Sequence, residues 1–209
     1  MADPFFEEDA KTKIVQAVRD VESKSSAEIV VSVRARSDDY REVDLLAGAL
    51  LALITLAVLM YHPAELDEDL MPVETVAAFV IGSILVNKIG ALKRALTMKK
   101  RRSERTTTAA RAHFVEAGIS RTRDRSGILV FVSVLERTVC VVPDVGIDTE
   151  KLGDGWKARV AALEAATSAL DVSAFASALA TLGPLLGEAY PRREDDVNEL
   201  PDAPLMEAS

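Results

Sequence analysis

The chain holds one cysteine, Cys140, in 209 residues. That excludes a disulfide within the chain and fits a reducing compartment. Histidine is nearly as scarce: His62 and His113 have no cysteine, serine or carboxylate partner at motif spacing. Also missing are a Gly-rich phosphate loop, a dinucleotide fingerprint, a nucleophile elbow and a zinc-protease helix. Cys140 lies in the β-branched run TVCVVP, where a small buried hydrophobe is its expected role. No arginine stands where a cysteine-phosphatase loop would need one. The first residues, MADPFFEEDAKTK, lack the basic-then-apolar layout of a signal peptide. A formal net charge of −8 argues against general nucleic-acid binding. The acidic residues gather at Glu7–Asp9 and Glu194–Asp202, and no repeat of solenoid length is visible.

What the chain does have is an uncharged apolar run in its middle, Leu45–Tyr61. As a helix it rises about 26 Å, close to the roughly 30 Å of a hydrocarbon core, and Val43 with the stem of Asp44 can extend it. A second apolar stretch runs from about Leu70 to Leu92 and contains Pro72, Glu74 and Lys88. Pro72 suits a first helical turn, and Glu74 and Lys88 can snorkel to the headgroups. Neither stretch has a polar stripe, so two membrane crossings are expected rather than two buried helices of a soluble protein. The loop between them holds Glu65, Asp67, Glu68 and Asp69 and no basic residue. Arg34, Arg36 and Arg41 precede the hairpin, and Lys93, Arg94, Lys99, Lys100, Arg101, Arg102 and Arg105 follow it. Positive-inside bias therefore expects both flanks, both termini and the folded domain on the cytoplasmic side of the inner membrane. The basic segment has no aromatic residue for base stacking. Its Lys93, Arg94, Lys99, Lys100, Arg101 and Arg102 are expected at the membrane surface against anionic lipid, or as a topology signal alone.

Outside the hairpin the pattern is mixed. Asp3 and Pro4 open a helix with Ala10, Ile14, Ala17, Val18 and Val21 on one face. Glu28–Val33 reads as a strand. The basic segment is expected to continue as helix to Gly118, with Ala110, Phe114 and Ala117 on one face. Gly127–Leu135 reads as a strand buried on both faces. Glu136–Arg137 then turns the chain into the antiparallel Thr138–Pro143. Two helices follow, one with Trp156, Val160 and Leu163 inward. The other has Val172, Phe175, Leu179, Leu182 and Leu186 inward and a kink at Gly183–Pro184. The proline-punctuated acidic residues 191–209 are expected to be disordered. This order predicts a small mixed α/β domain, residues 1–42 and 106–190, interrupted by a transmembrane hairpin at 43–92 and a basic segment at 93–105. The strands on either side of the hairpin can share one sheet only if the chain crosses the bilayer an even number of times.

A first helix leading into SAEIVVSV, a helix ending HFVEAGISRT, the run RDRSGILVFVSVLERTVCVVPDVGI, a Trp-containing helix and the ending LGEAYPRREDDVNELPD occur in that order. In these features the chain resembles the TPM domain family (TLP18.3, Psb32 and MOLO-1). The resemblance covers most of the chain outside Val43–Glu104. It implies an α/β sandwich, often membrane-tethered, serving in some members as an acid phosphatase and in others as an auxiliary subunit or assembly and repair factor. It also implies an acidic cluster on loops at one sheet end, here matched by Asp124, Asp144, Asp195, Asp196 and Asn198. Such carboxylates suit a hard cation, Ca2+ or Mg2+. Where the family's loop reads like Asp-Asn-Gly, this chain has Asp124-Arg125-Ser126-Gly127, and Arg123 and Arg125 would compete with a cation.

The residues alone leave alternatives. Asp144 before Gly146 is either a site residue or an ordinary turn aspartate. Asp195 and Asp196 either close a metal site or belong to a solvated tail. Asp124 with Arg121, Arg123 and Arg125 forms either an anion-binding loop or an exposed charged loop. Two functions are therefore expected to compete. One is a non-catalytic module binding a protein partner such as a membrane complex. The other is a phosphatase in which Asp124, Asp144 and Asp196 hold a divalent ion that polarises phosphate and activates water.

Overall fold

A computed structural model describes residues 3–62, 67–193 and 197–208. In chain order its elements are α1 (Glu8–Glu22), β1 (Glu28–Arg34), α2 (Arg41–Tyr61), α3 (Met71–Lys88), α4 (Gly90–Leu96) and α5 (Lys99–Glu116). They continue with β2 (Gly127–Ser133), β3 (Thr138–Pro143), α6 (Thr149–Ala169), α7 (Val172–Ala180), α8 (Leu182–Ala189) and β4 (Leu205–Glu207). The chain forms two compact units, one of residues 1–38 with 102–209 and the other Asp39–Arg101.

The first unit is a mixed sheet flanked by helices, with strand order β3-β2-β1-β4. β1 and β2 are parallel neighbours in register from Glu28 opposite Gly127 to Arg34 opposite Ser133. β3 returns antiparallel beside β2. Alternation divides the sheet residues between two cores. Ile29, Val31, Val33, Ile128, Val130 and Val132 pack with the apolar sides of α1, α6, α7 and α8. Val30, Leu129 and Phe131 pack with Ala110 of α5 and with Ile119. Every residue of β2 is buried, as its unbroken apolar run predicts for a strand covered on both faces.

The second unit is a helical hairpin with α4 beside it. Gly48 on α2 sits against Ser83 and Phe79 of α3, and a Cβ there would lie 2.6 Å from the Phe79 carbonyl oxygen. Small residues let helices pack this closely. The outward sides are apolar: Leu46, Leu50 and Leu53 on α2, and Val73, Val76 and Ile81 on α3, are exposed. Among the described residues three helical stretches are long and apolar enough to cross a membrane: Arg41–Tyr61, Met71–Lys88 and Val172–Ala189. In the third, Phe175, Leu179, Leu182 and Leu186 belong to the core of the first unit.

Four expectations are corrected. The second apolar helix stops at Lys88, and a separate α4 covers Gly90–Leu96. The basic segment is not one helix, because the backbone is extended at Thr97 between α4 and α5. The break in the last helical pair falls at Thr181 rather than at Gly183–Pro184. Pro184 lacks an N–H and its ring collides with the carbonyl four residues back, at Ala180, so the disturbance lands a turn upstream. Arg159 Nε donates to the Thr181 carbonyl at 3.0 Å. Finally, the acidic C-terminal segment is not wholly irregular: Leu205–Glu207 pairs in parallel with Ser32–Arg34 of β1. A three-residue edge strand is held by backbone bonds, ion pairs and one packed side, none of which composition reveals.

Candidate functional site

Of the matched loop carboxylates, Asp124 and Asp144 lie at the end of the sheet where β2 begins. Gly127 opens β2, and its carbonyl accepts the Asp144 N–H at 2.8 Å. Asp124 and Arg125 lie just before it. Gly146 lets the loops close: a Cβ there would lie 2.5 Å from the Arg125 carbonyl oxygen. Arg125 takes a left-handed φ of 54°, and its guanidinium grips Asp144, Nε to Oδ2 at 2.6 Å and Nη2 to Oδ1 at 2.9 Å. The Val145 N–H also donates to Asp144 Oδ1 at 2.8 Å. The Asp144 side chain is 3% exposed. The Arg125 hydrogen bonds, supported by the Val145 N–H and outweighing burial, hold its carboxyl below the usual range. Asp124 instead pairs with Arg193 at 3.0 Å, and Asn198 donates to Asp202. Asp195 and Asp196 lie outside the described residues. Among the described residues no group of three or more His, Cys, Asp or Glu could hold a metal ion.

Arg125 and Asp144 thus form a bidentate pair. Asp144 is charged and enclosed, and Arg125 neutralises it as a cation would. Replacing Arg125 with glutamine is expected to lower the melting temperature at pH 7. Because the folded carboxyl titrates below the ordinary 3.8, the Arg125 contribution is present above that pH and fades as pH falls below it. A melting-temperature gap between wild type and Arg125→Gln that stays constant from pH 7 down to pH 2.5 would contradict this.

The same sheet end carries a cavity of about 200 Å³ that includes Arg19, Glu22, Ser25, Glu28, Arg192 and Asp202 in its lining. Glu22 ends α1, and its Oε1 accepts the Ile29 N–H at 3.2 Å. Burial, with the neighbouring carboxylates of Glu28 and Asp202, pushes it up to about 8. The Ile29 N–H and Arg192 oppose that shift and are outweighed. Asp202 moves the other way, held down chiefly by its hydrogen bond from Arg19 Nε at 2.9 Å. Two carboxyls of opposite tendency thus share one cavity. Sequence reading singled out neither, since α1 and the C-terminal segment lie at opposite ends of the chain and form no motif.

Polar clusters also occupy the other end of β1 and β2. Glu136, expected only as a turn residue, is buried and accepts from the Ser37 N–H at 3.0 Å and the Ser133 hydroxyl at 2.5 Å. His113 on α5 faces Arg34 Nη2 at 3.1 Å. Burial and then the Arg34 charge lower its pKa, so it is the neutral ring that accepts from Arg34. Cys140, expected to be buried, is half-buried and packs beside Leu129 and Phe131.

The six basic residues expected at the membrane surface do not act as a set. Lys93 is 2% exposed, with Nζ on Asp44 Oδ2 at 3.0 Å and on the Asp39 carbonyl at 2.9 Å. Asp44 in the first turn of α2 is itself buried and requires a counter-charge, and this draws Lys93 inward. Arg101 pairs with Glu42, and Arg102 donates to the Glu136 carbonyl at 3.3 Å. Arg94 is half-buried, while Lys99 and Lys100 are exposed.

No protein-family model matches this chain, and no curated protein does. Among solved structures the fold is similar to the NMR structure of BA42 protein from the psychrophilic bacterium Bizionia argentinensis. The TM-score is 0.59 at 17% identity, with 99% of this chain and 98% of that one covered. At that identity the likeness shows a shared fold and nothing of activity.

Proposed function

We propose that the protein is a membrane-anchored, TPM-like α/β domain that acts without catalysis, as an interaction, assembly or maintenance factor at the cytoplasmic face of the inner membrane. The observation that carries this reading is the hairpin. α2 and α3 have spanning length and turn Leu46, Leu50, Leu53, Val73 and Val76 outward, and large exposed apolar surface of this kind marks membrane or protein contact. Two crossings, with both flanks in the cytoplasm, agree with the basic residues on either side. They also agree with β1 and β2 being direct neighbours, since an even number of crossings returns the chain to the side it left. Against catalysis by the loop aspartates stands the occupancy of Asp144 by Arg125 and of Asp124 by Arg193. The partner is the bilayer, with a membrane protein complex as the object of the soluble domain.

Three measurements test this. Alkaline carbonate should leave the protein in the vesicle pellet. Protease added to intact spheroplasts should cut only within the acidic loop, and cleavage inside Gly127–Pro143 from outside would reverse the orientation. The competing phosphatase reading needs Asp124, Asp144 and Asp196 around Ca2+ or Mg2+. Millimolar amounts of either ion are expected to leave the melting temperature unmoved, and the protein to leave a generic phosphate ester intact. Hydrolysis abolished by Asp144→Ala at unchanged stability would replace the module with the enzyme.

A further inference from the structure

The helical unit holds a groove of about 480 Å³, within the roughly 300–1,000 Å³ typical of ligand clefts. Its apolar lining includes Val43, Leu50 and Ile54 on α2, Leu85 on α3, and Leu92 and Leu96 on α4. The polar members of the lining are Thr97 and Arg101. Arg101 pairs with Glu42, next to Val43, so its charge marks the end of the groove at which α2 begins. From Val43 to Ile54 a helix advances roughly 16 Å. One leaflet supplies about half of a roughly 30 Å hydrocarbon core, so groove and leaflet agree in depth. The groove stops at Ile54 while α2 continues to Tyr61, so it takes up the half of the hairpin nearest Arg101.

We propose that the groove is a lipid site, holding one acyl chain of an anionic glycerophospholipid with its phosphate on Arg101. This rests on the membrane-anchor reading. The Glu42 contact engages Nη2 of Arg101, and a guanidinium has five N–H donors, so a phosphate oxygen can share it. Lys99, exposed in the same turn of α5, adds a second positive charge beside Arg101 at this end, which favours an anionic over a zwitterionic headgroup. Ala47 also lines the groove, and a larger side chain there would occupy the acyl chain's space.

The test is native mass spectrometry of the full chain in detergent, after incubation with phosphatidylglycerol or with phosphatidylcholine. One phosphatidylglycerol should be retained per chain at saturation, with phosphatidylcholine retained about tenfold less. Ala47→Phe and Arg101→Gln should each weaken retention by about tenfold, equivalent to about 1.4 kcal/mol. Circular dichroism reports whether each variant folds. Should Ala47→Phe fail to fold, the surface change Arg101→Gln decides. Adducts that grow without a plateau, equal retention of both lipids, undiminished retention in the folded variants, or a co-purifying polypeptide in place of lipid would overturn the proposal. Carbonate extraction separates the two readings. Release of the wild type refutes the anchor, whereas a chain that stays in the pellet yet retains no phosphatidylglycerol refutes the groove alone.

Discussion

Replacing Lys93 with methionine is expected to destabilise the helical unit by about 3–5 kcal/mol, the cost of stranding a buried charge without its partner. Lys93 Nζ lies 3.0 Å from Asp44 Oδ2, and Asn87 Nδ2 donates to the same oxygen at 2.9 Å. The two side chains are 2% and 8% exposed. Asp44 Oδ1 has no hydrogen-bond partner among the described residues, so the lysine ammonium is the main compensation for the anion. Removing it leaves Asn87 as the remaining donor. The double variant Lys93→Met with Asp44→Leu should recover most of the loss, because a buried ion pair is commonly replaceable by packed apolar groups. Thermal unfolding in detergent, followed by far-ultraviolet circular dichroism, measures both. A single variant indistinguishable from wild type, or a double variant worse than the single, would show that the pair does not clamp the base of the hairpin.

Glu22→Gln is expected to reshape the pH dependence of stability. The folded carboxyl titrates near 8, against an ordinary value of 4.5. Between those two values the folded state keeps a proton that the unfolded chain has released. Stability from this group is therefore complete below pH 4.5, declines as pH rises, and is gone above about 8. The full span is on the order of a few kcal/mol, since each pH unit of unequal protonation is worth about 1.4 kcal/mol. Glutamine imitates the protonated carboxyl and keeps an oxygen for the Ile29 N–H. The variant should match wild type near pH 4.5 and exceed it at pH 8.5, with the difference growing across the interval. His113, whose lowered pKa makes protonation below pH 6.5 costly to the fold, acts equally in both proteins and cancels in the difference. Equal melting temperatures at pH 8.5 would show that the Glu22 carboxyl is open to water.

Much of this fold could be read from residue order, for reasons that differ between elements. β2 was legible because a strand covered on both faces is apolar along its run, which Gly127–Val132 satisfies, and the buried Ser133 that ends it has Glu136 as a partner. α1 was legible because one stripe, Ala10, Ile14, Ala17, Val18 and Val21, is buried and the rest, Val15 apart, is polar. β4 was not. Leu205–Glu207 gains its place from Arg34 pairing with Glu207 at 3.0 Å and from the Arg19 contact to Asp202, and these partners lie at the far end of the chain. The site shows the same division. Resemblance pointed to Asp124 and Asp144 on loops beside a strong strand, and the structure pairs them with Arg193 and Arg125, partners that the resemblance does not imply. The Glu22 cavity was hidden because Arg19, Glu28 and Asp202 converge on it only after folding. Lys93 was misread for a simpler reason. A lysine in a basic run looks solvated until the one buried aspartate that needs it is located.

The adjacency of β1 and β2 has a consequence for biogenesis. During synthesis β1 emerges with its apolar residues and both backbone edges unsatisfied, and its neighbour is not made until residues 35–126, greasy hairpin included, have left the ribosome. The nascent amino-terminal portion must wait through synthesis of that hairpin as an open, adhesive edge. Chains arrested just before Gly127 should therefore associate with chaperones or aggregate, whereas chains extended past Ala189, with α6, α7 and α8 over the sheet, should resist protease.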